Sequence, residues 1–377
     1  MQRYQATFDE LEEILQRMRR GIIYGAFQSA NPILAQIMKL VKKEDFERPS
    51  ELMSVLQGMG KYLQRGSKIE FSTVNIVRRV MFIVREVERS LSNVEFDVQS
   101  NELHRLVSES PSISNVDMKK FKKELIESLK EYQTELKTLY KSIAEQGEAY
   151  INDNDVVLLF GKSKTVLEFI AGAKTVRTFY VIVVDSLQRK DGEEIVLELQ
   201  NRGIKADLFP ESALFSVLPH VNKIVLGCHT VLANGGLIAA AGAFNLCCVA
   251  THFRVPVYVC TGTFKISPIF PTNDTDFALI QSPLPIMPAV LSKPSIQSTQ
   301  TGLELLLDRK SDEETADKSS YQIEEAKYTR VINSTFEYIS PDWINLFITN
   351  ENGVPPSYIY RLLAQLYNPE DTFFTTR

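Results

Sequence analysis

The sequence predicts an α/β fold in which an N-terminal α-helical domain precedes a Rossmann-like parallel-sheet domain. Three observations carry that expectation. Through about the first 90 residues, apolar side chains recur at three- and four-residue steps, the period of a half-buried helix. From Val156 onward the apolar runs become short and nearly uninterrupted, which strands covered on both faces require. Helical stretches separate those runs, and alternation of strand and helix implies parallel pairing.

Thr7 and Glu10 have the spacing of a capping box ahead of a first helix bearing Phe8, Leu11, Leu15, Met18 and Ile22. Apolar helices are expected over 31–43, 50–64 and 72–91, the last with Val74, Val77, Met81, Val84 and Val87 on one face. No heptad persists for three repeats, so these form a bundle of short helices and not a coiled coil. Residues 92–116, SNVEFDVQSNELHRLVSESPSISNV, lose the period and read as a mobile loop. Asp117 then opens a long helix to about Gly147, carrying Phe121, Leu125, Leu129, Tyr132, Leu136, Tyr140 and Ile143.

The turn residues NDND at 152–155 mark the change of texture, giving a helical domain over 1–150 and an α/β domain over 151–377. Strands are expected at VVLLFG (156–161), FYVIVVD (179–185), IKADLF (204–209), KIVLG (223–227) and VPVYVC (255–260). A parallel sheet places its ligand crevice at the carboxyl ends of its strands, which directs attention to the turns after Phe160, Val184 and Leu226. Residues 292–328 are polar and charged and are expected to be a disordered loop. Beyond them, Asp342 is placed to cap a helix bearing Trp343, Leu346 and Phe347, and Ser357 another bearing Tyr360, Leu363 and Leu366.

Composition excludes several classes. A formal net charge of −5 provides no global basic field, so direct nucleic-acid binding is not expected. No apolar run approaches a membrane span, and MQRYQATFDELEEILQRM lacks the apolar centre of a signal peptide, so a cytoplasmic protein is expected. Cys228, Cys247, Cys248 and Cys260 show no CxxC spacing and read as reduced, buried thiols. His104, His220, His229 and His252 form no HxxxH or HExxH pair, so neither a metal nor a cofactor is expected.

Candidate chemistry is sparse. FGKSKT (160–165) ends like a phosphate-binding loop, but Val156 stands where the first glycine belongs, leaving a helix N-terminus able to hold an anion only weakly. Asp185 ends a strand 24 residues after Gly161, as in dinucleotide sites, yet GKSKTV lacks the later glycines. Basic clusters at Arg17, Arg19 and Arg20, at Arg78 and Arg79, and at Lys119, Lys120, Lys122 and Lys123 read as solvated helix faces, with contact to an acidic or phosphorylated partner as the other reading. Cys247 and Cys248 have only His252 as a neighbouring base, so packing is their expected role.

LANGGLIAAAGAFNLCCVATHFRVPVYVC (232–260), FKISPIFP (264–271) and PSYIYRLLAQLYNPED (356–371) resemble the regulatory alpha/beta/delta subunit family of eukaryotic translation initiation factor 2B, the last segment most closely its beta branch. The resemblance covers nearly all of the chain except the two polar loops. That family shares its fold with methylthioribose-1-phosphate and ribose-1,5-bisphosphate isomerases. The isomerases carry a catalytic cysteine after the first strand of the α/β domain, where this chain has FGKSKT. They carry an aspartate after an Asn-Gly pair, where it has Gly236 following Asn234 and Gly235, and an Asn-Lys pair where it has Ala239 and Ala240. Glycine and alanine supply no side-chain acid or base, so the resemblance implies no catalytic residue and a vestigial ligand pocket at Gly161, Lys162, Ser163, Asn234, Gly235 and Gly236. The Asn-Gly pair is expected to keep a tight turn and a helix start, with Ala239 through Gly242 along that helix.

The resemblance further implies a non-catalytic regulatory subunit of the guanine-nucleotide exchange factor for initiation factor 2. Its partners would be alpha, delta, gamma and epsilon subunits in a decamer, and the alpha subunit of initiation factor 2, whose phosphorylation it would help to sense. Asn154, Val156, Tyr180, Ile182 and Phe209 are the implied partner-facing positions. A surviving isomerase and a sugar-phosphate or nucleotide sensor are the alternatives.

Overall fold

The computed structural model describes residues 4–20, 22–23, 25–66, 70–92, 117–186, 190–271, 280–281 and 332–374. The expected loops at about 92–116 and 292–328 lie, apart from Ser92, outside the described residues.

Among the described residues, five helices open the chain: α1 (Gln5–Arg19), α2 (Ala26–Lys43), α3 (Pro49–Gly66), α4 (Phe71–Leu91) and α5 (Met118–Glu145). Thr7 and Glu10 make no capping box, because α1 already begins at Gln5 and both lie inside it; Glu10 instead pairs with Lys39 of α2. Asp117 does cap α5, its Oδ1 accepting from Lys119 N at 3.0 Å. The buried stripe of α5 is Phe121, Leu125, Leu129, Tyr132, Leu136, Leu139 and Ile143. Tyr140 sits half-buried beside it under the Lys164 ammonium, 4.6 Å from the ring centroid. α4 is the central helix, buried all round from Ser72 to Arg78.

The second part begins after a short turn, α6 (Gly147–Tyr150), and contributes β1 (Val156–Phe160), α7 (Lys164–Lys174), β2 (Tyr180–Asp185), α8 (Gly192–Asn201), β3 (Ala206–Pro210), α9 (Leu214–Val217) and β4 (Lys223–Gly227). A hairpin of β5 (Thr230–Val231) and β6 (Leu237–Ala240) follows, then α10 (Ala243–Phe253) and β7 (Val257–Cys260). The remaining strands and α-helix among the described residues are β8 (Ile280–Gln281), β9 (Asn333–Ser334), β10 (Phe336–Ile339), β11 (Leu346–Ile348), β12 (Gly353–Val354) and α11 (Ile359–Leu366).

The main sheet has the order β12-β11-β7-β4-β1-β2-β3, parallel except for β12. Strand order therefore reverses between β1 and β4, which opens a crevice outside their carboxyl ends. Alternate residues face opposite layers. Val157, Leu159, Val181, Val183 and Val225 join one apolar cluster with α1–α5, α7 and α8. Leu158, Phe160, Ile182, Val184 and Leu226 join another with α9, α10 and α11. β10, β6 and β5 form a separate antiparallel sheet.

Two expectations for the C-terminal half fail. Asp342 caps no helix, since Pro341–Trp343 is a single 3₁₀ turn and Leu346–Ile348 is a strand paired with β7. Ser357 lies in the 3₁₀ turn Pro356–Tyr358, and α11 starts at Ile359 without a side-chain cap.

Candidate functional site

The crevice begins at Gly161, whose φ of +73° turns the chain out of β1. Lys162 N donates to Asp191 Oδ2 (3.1 Å), and Lys162 Nζ pairs with Glu194, which raises the ammonium pKa and lowers that of the carboxylate. Ser163 precedes α7 and is pressed against β4: a Cβ at Gly227 would come within 2.6 Å of Ser163 Cβ. Asp185 closes the start of α8, its Oδ1 accepting from Gly192 N at 3.0 Å. At the start of α10, Glu337 Oε2 accepts from Gly242 N (3.0 Å) and Phe244 N (3.2 Å), while Glu211 Oε1 accepts from Asn245 Nδ2 (3.2 Å).

Free amides at a helix start attract anions. Here this chain's own carboxylates already stand on them, at α8 and at α10. Their charge repels a phosphate arriving at the same donors. Glu337→Ala is accordingly expected to weaken the start of α10 by about 1 kcal/mol, the usual loss for a helix-capping oxygen. It should also make stability respond to added inorganic phosphate, which wild-type protein should not show; thermal melts with and without phosphate read both.

Asn234, Gly235 and Gly236 form the turn of the β5–β6 hairpin. Asn234 Oδ1 accepts from Gly236 N (3.0 Å), its Nδ2 donates to Tyr338 Oη (2.8 Å), and Leu232 N donates to Gly236 O (2.8 Å). Gly235 has φ +81°, and a Cβ there would meet Pro356 O at 2.5 Å. A Cβ at Gly236 would come within 2.7 Å of the Tyr338 ring, so the direction an aspartate would take is filled.

The expected helix start is not at this turn. Leu237–Ala240 is strand β6, pairing with β10 through Ala239↔Glu337 and Ala240↔Phe336, and the helix begins only after Gly242, at φ +97°. For so short an apolar run, backbone pairing with β5 and β10 decides between strand and helix. β6 also separates the two halves of the expected pocket. Ala240 approaches Gly161, to within 3.9 Å of a Cβ built there, whereas Gly236 lies four residues back, about 13 Å along the strand.

The thiols are poorly placed for nucleophilic work. Burial pushes Cys247 up to about 12 and raises Cys228 and Cys260 as well. Cys248 is exposed, contrary to expectation, because it lies on the outer face of α10. His252 packs tilted against Phe215 (5.3 Å between centroids) and edge-on against Phe253 (4.8 Å). Among the described residues, no group of three or more His, Cys, Asp or Glu is placed to hold a metal ion. No helix among them is long and apolar enough to cross a membrane.

Of the implied partner-facing residues, Asn154, Val156 and Tyr180 lie at the amino ends of β1 and β2, Ile182 lies within β2, and Phe209 is near the carboxyl end of β3. Asn154 adopts φ +64° and donates its N–H to Thr178 O (2.7 Å). Val156 and Tyr180 pair in register and are half-buried, as is Phe209; Ile182 is buried. A hydrogen bond to Asp207 raises the Tyr180 phenol pKa. α9 and α10 expose aromatic surface: Phe215 is 60% exposed against Phe253, and Phe244 43% exposed against Trp343.

The Arg78–Arg79 pair is not a solvated face. Arg78 is fully buried, donating to Asn75 Oδ1 (3.0 Å), and burial lowers its pKa to about 10. Arg79 Nη1 donates to Leu366 O (3.3 Å) at the end of α11.

The profile of the initiation factor 2 subunit family matches residues 23–356. A Dictyostelium discoideum protein named translation initiation factor eIF2B subunit beta is 28% identical over 404 residues, covering 96% of this chain and 95% of its own. Its Schizosaccharomyces pombe namesake is 25% identical, covering 97% and 98%. The crystal structure of eIF2B beta from Chaetomium thermophilum shares the fold, with a TM-score of 0.69 at 22% identity over 97% of this chain and 94% of that one. With its family profile spanning both the helical bundle and the sheet, this protein belongs to the initiation factor 2 subunit family.

Proposed function

We propose that this chain is a non-catalytic, beta-type regulatory subunit of the guanine-nucleotide exchange factor for initiation factor 2. The observation that carries the reading is Tyr338 packed where an aspartate at Gly236 would project, on a chain alike to beta subunits over nearly its whole length. Glu337 and Asp185 support it by standing on the crevice amides. In this reading residues 1–150 and 151–377 act as two domains of one cytoplasmic subunit. The sheet domain pairs with a delta-type chain, and alpha, gamma and epsilon subunits complete the assembly. The helical domain helps to bind the alpha subunit of initiation factor 2 and to distinguish its phosphorylated state, by differential affinity and not by bond making.

A relative from C. thermophilum was crystallised as a tetrameric beta2-delta2 complex; it matches this chain with a TM-score of 0.66 at 20% identity. The exposed rings of Phe215 and Phe244 suit such pairing, because aromatic anchors dominate interfaces. Native mass spectrometry of the chain, alone and with a delta-type partner, tests the reading. The expected result is a complex with the partner, weakened about tenfold or more by Phe215→Asp with Phe244→Asp. A monodisperse monomer that ignores the delta-type chain, or turnover of a ribose phosphate, overturns it.

A further inference from the structure

Among the described contacts that join the helical bundle to the sheet beside their shared apolar cluster, two differ in physical kind. The first is apolar and close to the backbone, where α5 crosses α7. Gly172 lies directly against the Ala144 backbone, and a Cβ at Gly147 would come within 2.6 Å of Phe169 O and 2.7 Å of Ala173 N.

The second is polar and involves the chain after α11. Arg85 of α4 holds Asp371 through two hydrogen bonds (Nη1–Oδ2 2.7 Å, Nη2–Oδ1 2.9 Å), with Glu370 at 3.7 Å. Arg79 reaches Leu366 O, and Tyr367 Oη donates to Ile266 O at 2.8 Å. Asn75 Nδ2 donates to Phe264 O (3.2 Å), tying α4 to the same stretch after β7.

We propose that the crossing is a pivot and that Tyr367–Asp371 is a latch, whose release from α4 lets the helical bundle turn against the sheet. Close-packed backbones have no loosened intermediate arrangement, so the crossing holds its geometry or unfolds. The Arg85–Asp371 pair behaves differently: removing one of its two charges releases it while the apolar packing beneath stays in place. The helical surface and the sheet surface would then feel each other through one equilibrium.

Hydrogen exchange of the full-length chain and its Asp371→Asn variant, which keeps the shape and removes the charge, tests the latch. The expected result is exchange at least tenfold faster over 359–371, with β1, β4 and the α5–α7 crossing unchanged. Exchanging the charges, Arg85→Asp with Asp371→Arg, should restore protection. Spin labels on Glu13→Cys and Leu197→Cys, with the exposed Cys248 replaced by serine, should show a broader distance distribution in Asp371→Asn. An equal rise of exchange in β1 and β4, no rise over 359–371, or an unchanged distance distribution overturns the proposal.

Discussion

Alanine at Gly172 and alanine at Gly58 are expected to change stability in opposite directions, although both replace a helical glycine. Gly58 lies in α3 with only Phe8 Cζ near, 3.7 Å from a Cβ built there. Adding a methyl group at such a position restricts the unfolded chain and should stabilise by about 0.5–1 kcal/mol. At Gly172 the same Cβ would overlap the carbonyl group of Ala144, main chain that cannot rotate away. α5 and α7 would have to separate along the crossing that joins bundle to sheet. Overpacking of a core commonly destabilises by 1–3 kcal/mol, so Gly172→Ala is expected to lose about 3 kcal/mol, and Gly172→Val more. Urea titration followed by far-UV circular dichroism measures each. A Gly172→Ala protein as stable as wild type would show that the two helices are not in backbone contact.

Gly172 illustrates what was legible in the sequence and what was not. The helix containing it was visible, because Val166, Leu167, Phe169, Ile170 and Ala173 bury one face between two apolar strands. The strands themselves were plain for the same reason: covered on both faces, VVLLF and YVIVVD have no polar alternation to conceal them. What a sequence does not display is the element that arrives from far along the chain. Gly236 marked a turn, but the ring filling the space beside it belongs to Tyr338, across a long polar segment. Leu237–Ala240 became a strand because β10 pairs with it, and that partner also delivers Glu337 to the start of α10. Arg78 and Arg79 looked like any basic pair on a helix; only the C-terminal segment folding back onto α4 buries one and occupies the other.

At this crevice residue type carries the losses, and only the fold carries what stands in their place. The absence of an acid at Gly236 and of a polar pair at Ala239 and Ala240 follows from residue type alone. That β10 fills the vacated space is a property of the fold: Tyr338 takes one end of β6 and Glu337 the other. A single strand thus sets one polar side chain against each end of β6.

Removing Asp371 alone should damage the protein far more than removing both Asp371 and Arg85. The carboxylate is 1% exposed and receives two guanidinium hydrogen bonds, yet burial raises its pKa and the opposing pull of Arg85 does not cancel that effect. Desolvation thus outweighs attraction, the usual condition of a buried pair. Asp371→Ala leaves Arg85 with the looser carboxylate of Glu370 at 3.7 Å and is expected to lose about 3 kcal/mol. Arg85→Met with Asp371→Leu removes both charges while filling the space, and should fall within about 1 kcal/mol of wild type. The pH dependence carries the same sign. Because the folded-state pKa of Asp371 lies above its unfolded value, folding favours the protonated carboxyl, and stability from this group declines as pH rises through the carboxylate range. The double variant should lack that decline, so its stability relative to wild type should improve between acidic and neutral pH. Urea titrations at both pH values decide the matter: a double variant as unstable as Asp371→Ala would mean that the pair contributes net stability, and that desolvation is the smaller of the two effects.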